Sequence, residues 1–222
     1  MHSHLLPGID DGSKSMEESM GMILKFSRMG YRKLFMTPHI MEDYYRNTPE
    51  IIHGKLEEVR KEVKEFGMEI ELGAAAEYYY DETLIDKVKG KELLTFGDNY
   101  VLFEYAFGAE PQRITSLIFE MKTNGYRPVL AHYERYPYYH NQPEKIQEYR
   151  DNGVLIQLNL LSLCGHYGPF VEKQAKYLVD NGLIDFVGSD CHRIEHLQIL
   201  EKNASNPYFH KLKELNLLNQ SL

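Results

Sequence analysis

Hydrophobic positions along the chain follow two alternating periods. Short β-rich runs separate stretches in which apolar residues recur every three to four positions. That order predicts βα units around a parallel sheet or barrel. The first helical stretch begins at Ser15, where Ser15-Met16-Glu17-Glu18 fits a capping box. Its apolar face is expected on Met16, Met20, Ile23 and Leu24, and Gly30 ends it. Lys33–Thr37 follows as a strand, stopped by Pro38. A second helix begins near Pro49, carries Ile52, Leu56, Val59 and Val63, and ends at Gly67. Glu69–Leu72, Tyr100–Tyr105, Pro128–Ala131, Val154–Leu158 and Ile184–Gly188 read as further strands. Between them Gln112–Thr123, Glu144–Asn152 and Phe170–Asn181 read as helices. These apolar faces are assigned to core packing. No repeat or Gly/Ser/Pro-rich linker divides the chain, so residues 1–222 are expected to form one α/β domain.

Composition narrows the function classes. With 43% apolar and 26% charged residues, the 222-residue chain can bury a sizeable core. No apolar run approaches the roughly 20 residues of a membrane helix, and no signal-peptide core opens the chain, so no membrane insertion is expected. A net charge of −8 argues against a nucleic-acid backbone as the main partner. Two cysteines, Cys164 and Cys191, make at most one bridge, which fits a reduced, cytoplasmic protein.

The candidate chemistry lies at the strand ends. The chain opens MHSHLLPGIDDG, placing His2, His4, Asp10 and Asp11 around a Pro7-Gly8 turn. His39 follows the first strand, Glu77 comes shortly after the second, and Glu104 lies near the end of the third. His132 follows the fourth, and Asp190 and His192 follow the last. In a parallel barrel the C-terminal strand ends share one mouth, where active sites are built. The ligand set is therefore His2, His4, one of Asp10 and Asp11, His39, Glu77, Glu104, His132, Asp190 and His192. Nine nitrogen and oxygen ligands without a thiolate suit two or three divalent ions such as Mn, Fe, Co or Zn. Such ions would also offset the repulsion and burial cost of so many charged groups.

Other polar residues receive other readings. His53, His140, His166, His196 and His210 lack matching partners and are read as surface or hydrogen-bonded core residues. Tyr78-Tyr79-Tyr80 and Tyr138-Tyr139 fit either pocket lining or amphipathic packing. Arg135, three residues past His132, is placed to grip a phosphate bidentately, and Arg193 is a weaker candidate for that role. A cysteine-dependent phosphatase would need an arginine six residues beyond its nucleophile. Phe170 and Leu197 stand at those positions, so that chemistry is set aside.

HSH, DDG, TPH, the strand-end glutamates, AHYERY and SDCH, in that order, resemble the polymerase-and-histidinol-phosphatase (PHP) superfamily. More narrowly, HxHxxPGIDDG with AHxERY is similar to the bacterial manganese-dependent protein-tyrosine phosphatases of capsule and exopolysaccharide operons. The resemblance covers His2 to about His192. It implies a distorted seven-stranded βα barrel with a trinuclear metal cluster. By motif it assigns His2, His4, Asp11, His39, Glu77, Glu104, His132, Asp190 and His192 as ligands and Arg135 as the phosphoryl holder, favouring Asp11 over Asp10. It implies cytoplasmic hydrolysis of phosphotyrosine on a protein, with a tyrosine kinase of polysaccharide export as the partner. A hydroxide bridging two metals is the expected nucleophile. The alternatives are a small-molecule phosphatase such as histidinol phosphatase, and a non-catalytic metal-binding module. The family normally has a strand before HxH, and here only Met1 precedes His2. The expectation is thus a trimmed start, six predicted strands and a looser His2–His4 limb.

Overall fold

The computed structural model describes residues 1–222. Its strands are β1 (Lys33–Met36), β2 (His39–Ile40), β3 (Glu71–Ala74), β4 (Glu77–Tyr79), β5 (Tyr100–Glu104), β6 (Arg127–Leu130), β7 (Leu155–Asn159) and β8 (Phe186–Gly188). A curled parallel sheet runs β2-β4-β5-β6-β7-β8, and β1 pairs with β3 in a parallel sheet of two strands. Each of the first two expected strands is thus followed, after a gap of two residues, by a short further strand that the sequence reading did not place. Lys33 lies opposite Glu71 and His39 opposite Glu77 in one continuous register. Across the gap Ala75 N donates to the Met36 carbonyl and Glu77 N to the Pro38 carbonyl. Pro38 has no N–H to contribute, which interrupts the ladder without moving its line. The second strand also begins two residues later than expected, at Glu71.

Eight α-helices accompany the strands: α1 (Met16–Arg28), α2 (Pro49–Glu65), α3 (Leu84–Gly90), α4 (Ile114–Thr123), α5 (Pro143–Asp151), α6 (Pro169–Asp180), α7 (Ile194–Lys202) and α8 (Pro207–Leu212). Ser15 caps α1 by accepting from the Glu18 N–H. Glu18 returns its carboxylate to Lys14 N, one residue earlier than a capping box requires. The buried face of α1 is Ser19, Met22, Ile23 and Phe26, whereas Met16, Met20 and Leu24 are only partly buried. Ser19 can face inward because its hydroxyl donates to the Leu5 carbonyl, a bond that hydropathy patterning does not register. On α2 the buried residues are the expected Ile52, Leu56, Val59 and Val63. α3, α7 and α8 lie outside the helices read from the sequence.

Alternation along the strands separates two cores and sets the site. One face buries Val101, Phe103, Leu130, Ile156 and Leu158 against the helices. The other buries Tyr100, Leu102, Val129 and Phe186 with Ala75 and Phe96 inside the curl. Successive residues point to opposite faces, so Glu104 continues the inner row Tyr100-Leu102 and Gln157 and Asn159 continue from Leu155. Apolar side chains fill the floor and polar ones reach the mouth.

The opening residues lie between β1 and the end of β8. Thr37 N donates to the Ser3 carbonyl on one side, while His4 N donates to Cys191 O and Asp190 N to His2 O on the other. Ser3 bridges Cys191 in parallel. The His2–His4 limb is therefore not loose, and both imidazoles are fully buried. A close return turn completes it: Ser13 N donates to His4 O, and a Cβ on Gly12 would lie 2.1 Å from that oxygen. Gly12→Ala is expected to cost about 1–3 kcal/mol by overpacking against backbone. Urea unfolding measures this, and an unchanged midpoint would show that the turn does not hold the limb.

Candidate metal centre

The expected ligands converge at the mouth. Glu77 Oε2 lies 3.2 Å from His2 Nε2, 3.3 Å from His4 Nε2 and 3.2 Å from His39 Nδ1. Its other oxygen is 3.0 Å from His132 Nε2. Asp190 Oδ1 lies 3.3 Å from His2 Nε2 and 3.4 Å from His4 Nε2. Glu104 adds an oxygen 3.2 Å from His39 and another 3.5 Å from His132. Asp11 faces His39 at 3.5 Å and His192 at 3.4 Å.

Three overlapping groups could each hold an ion: His4-Asp11-His39-His192, His2-His4-Glu77-Asp190, and His39-Glu77-Glu104 with His132 beside it. His39 offers one nitrogen to the first group and the other to the third, and a neutral imidazole has only one lone pair free. The buried atoms Glu77 Oε2 and His39 Nδ1 make no well-formed hydrogen bond despite their short distances. Lone pairs facing one another in this way suit cations at the centre. The donor set, imidazole and carboxylate without sulfur, is that of first-row divalent ions.

A second ring of side chains aims the ligands. His2 Nδ1 is 2.8 Å from Gln157 Oε1, and His4 Nδ1 is 2.8 Å from Asp10 Oδ2. His192 Nδ1 is 2.9 Å from the Asp190 carbonyl. Each contact occupies Nδ1 and leaves Nε2 facing the cluster, the usual outer-shell arrangement for ligating histidine. Asp10 thus bonds His4, while Asp11 faces His39 and His192. Gln157 also accepts from His132 N and donates to Asn159 Oδ1, and Asn159 donates to Asp190 Oδ2. β7 had no ligand in the sequence reading. The signal was available in two polar residues, Gln157 and Asn159, spaced by two in a strand whose other positions are apolar.

Backbone and charge record the constraint. His2, His132 and Asp190 have φ values of 66°, 37° and 48°, which cost non-glycine residues roughly 1 kcal/mol or more each. Burial opposes charge on His2, yet Glu77 and Asp190 beside it raise its pKa to about 10. Burial likewise opposes ionisation of Glu77 and Asp190, but the adjoining imidazoles hold both well below the carboxylate range. The His192 bond brings Asp11 down to about 2.

Arg135 completes the mouth. Its Nη1 donates to Asp190 Oδ2 at 3.0 Å, and its guanidinium lies between the Phe107 and Tyr167 rings, 4.7 and 4.3 Å away. Arg193 instead immediately precedes α7 and donates from Nε to His196. His140 bonds the Glu134 carbonyl and His196 is buried behind His192, while His53 and His210 are exposed. His166 is exposed and lines a groove of about 960 Å³ that runs from Arg135, Asp190 and His192 past the first turns of α1 and α7. Tyr78 and Tyr139 are packed and hydrogen-bonded inside, so packing describes them. Tyr167 lines the groove, and Tyr45 stacks on His39.

The profile of the capsular polysaccharide synthesis family CpsB/CapC matches residues 1–211. The chain belongs to this family. It is 29% identical over 201 residues to the tyrosine-protein phosphatase CpsB of Streptococcus pneumoniae, covering 88% of this chain and 83% of that one. It is also 29% identical over 235 residues to the tyrosine-protein phosphatase YwqE of Bacillus subtilis, covering 100% and 92%. A solved structure from work on YwqE and CpsB, described as metal-dependent tyrosine phosphatases, superposes with a TM-score of 0.83 at 27% identity, covering 96% of this chain and 90% of that one. CpsB/CapC membership and the cluster together make this chain a metal-dependent phosphatase.

Two predictions follow from the outer ring and the charges. Gln157→Leu keeps the bulk and removes the acceptor for His2. It should weaken manganese binding about 10- to 100-fold by calorimetric titration, and unchanged affinity would remove Gln157 from the ring. In the metal-free protein the neighbouring carboxylates raise the pKa of His2 to about 10 and that of His4 well above its ordinary value, and ligation needs neutral imidazole. Metal binding should therefore release protons and tighten as pH rises from neutrality toward about 10, the pKa of His2 in the metal-free protein. Titrations in buffers of different ionisation heat count those protons, and zero release would contradict the assignment.

Proposed function

We propose that this enzyme hydrolyses phosphotyrosine on proteins, with His2, His4, Asp11, His39, Glu77, Glu104, His132, Asp190 and His192 holding two or three divalent ions, manganese foremost. The observation that carries the reading is the convergence of those nine residues on one mouth beside an ordered Arg135. When bound, such ions neutralise phosphoryl oxygens and lower the pKa of water to about 7. The rest of the chemistry falls to the chain's own groups. Arg135, held by Asp190 and two rings, offers its remaining N–H donors to the phosphoryl oxygens, whose charge they stabilise. The leaving phenol has a pKa of about 10 and needs less proton assistance than an alkoxide. Neither cysteine competes as nucleophile: burial pushes the Cys164 thiol up to about 11 and the Cys191 thiol to about 12.

Substrate size follows from the open side of the site. The groove leaves Arg135 and His192 across α1 and α7 rather than closing over them, which favours a protein segment over a small ester. Glu17, Glu18, Glu195, Lys14 and Arg193 line it. The family's place in capsular polysaccharide synthesis supports a tyrosine kinase of polysaccharide export as the partner and a cytoplasmic setting. No helix is long and apolar enough to cross a membrane. The hydrogen bonds of residues 2–4 to Thr37, Asp190 and Cys191 support reading this segment as the seventh stave of a distorted barrel, with residues 1–222 as one domain.

The test is hydrolysis of a phosphotyrosine peptide by metal-stripped protein with manganese added back. Activity should return, and His132→Ala and Arg135→Ala should each lose about 100-fold or more. Faster turnover of histidinol phosphate than of the peptide would move the assignment to a small-molecule phosphatase. Metal binding without hydrolysis of either ester would leave a binding module.

A further inference from the structure

We infer that Phe107 forms a subsite for the aryl group of the phosphate ester, selecting tyrosyl over alkyl phosphates. This inference rests on the proposed phosphotyrosine reading and assigns its specificity to a residue. Phe107 lies on the connection between β5 and α4 and remains 39% exposed, while most of the large apolar side chains around it are buried. Its ring centroid is 4.7 Å from the Arg135 guanidinium, 5.6 Å from the His132 ring and 5.3 Å from Tyr136. It therefore sits where the phosphoryl holder and a metal-site histidine meet, and presents uncovered apolar surface there.

An ester whose phosphoryl group lies against Arg135 and the cluster carries its organic group only one bond further out. On this rim Asp11, His192 and Arg135 offer charge or hydrogen bonds, and none of the three rewards a phenyl ring. Tyr167 also lines the groove, but its ring lies against Arg135 on the far side from Phe107, whereas Phe107 touches both Arg135 and the His132 ring. A phenyl group can cover the Phe107 surface in an offset or edge-to-face contact, whereas a serine or threonine methylene is too short to do so. Arg135 does not depend on Phe107 alone, because Tyr167 covers it at 4.3 Å and Asp190 bonds it at 3.0 Å. Removing the ring should thus affect the aryl group more than the phosphoryl group.

Non-hydrolysable inhibitors separate these contributions without the differing leaving-group chemistry of esters. Against the manganese-loaded enzyme, Phe107→Leu should raise the inhibition constant of phenylphosphonate about fivefold and leave that of methylphosphonate unchanged. Phe107→Tyr, which keeps the ring, should restore the phenylphosphonate value. Equal weakening of both inhibitors would make Phe107 only a support for Arg135 and overturn the inference. Unchanged constants for both would overturn it as well. The underlying reading is tested apart from this, by wild-type turnover of matched phosphotyrosine and phosphoserine peptides. Equal turnover there would refute the phosphotyrosine assignment whatever the inhibitors show.

Discussion

Burying carboxylates beside imidazoles, with no solvent to screen either, is the constraint from which the structure follows. An ionised carboxylate taken from water without compensation costs far more than a folded domain can spare. Glu77 and Asp190 are nevertheless buried and held in the charged form, because His2, His4, His39 and His132 lie within about one hydrogen-bond length of them. The compensation is mutual but geometrically poor. Several of these contacts pair atoms that cannot all donate at once, and Glu77 Oε2 and His39 Nδ1 lack a sound partner. Protons satisfy such a cluster only in part. Divalent cations at its centre would satisfy the facing lone pairs together, so binding energy and folding energy are linked here.

Holding so many ligands within a few ångströms explains features that would otherwise look like defects. His2, His132 and Asp190 adopt left-handed backbone, which brings side chains from different strand ends to one point. The hydrogen bonds behind them have a fixed direction. Arg135 and Asn159 both donate to Asp190 Oδ2, Gln157 donates to Asn159, and the Gln157 oxygen is left for His2 and the His132 N–H. Reversing any amide would put like groups face to face. The network therefore sets the His2 tautomer from a strand that supplies no ligand.

Much of this was legible in the sequence, and the unread parts have physical causes. All nine ligand candidates and Arg135 stood out because strand-end His, Asp and Glu residues have no structural reason to recur in a parallel fold. α2 was legible because its burial is wholly apolar. The face of α1 was not, since Ser19 buries a hydroxyl that finds a carbonyl fourteen residues earlier in the chain. Pro38 was read as the stop of the first strand, but the ladder resumes beyond it as β2 and β4 in the same register, a pairing between residues distant in sequence that no local run records. α3 and α8, with seven and six residues, span no more than two turns and repeat their apolar positions too few times to stand out, whereas α7 is as long as α5, so its length does not explain the miss. The roles of Asp10 and Gln157 are relations between side chains distant in sequence, and no local pattern encodes them.

The treatment of Arg135 bears on how the site meets its substrate. A free arginine would lose rotamer entropy on gripping a phosphate, a loss of about 0.5–1.5 kcal/mol that would fall on binding. Here two aromatic rings and Asp190 have already ordered the guanidinium. Asp190 spreads its charge, facing Arg135 with one oxygen and His2 and His4 with the other. The arginine is thus fixed without being fully neutralised, and its remaining donors keep their pull on an anion. Placing that residue on a 3₁₀ turn immediately after His132 ties its position to the cluster itself. A displacement of the cluster would therefore carry Arg135, the proposed phosphate holder, with it, so that the two stay in register.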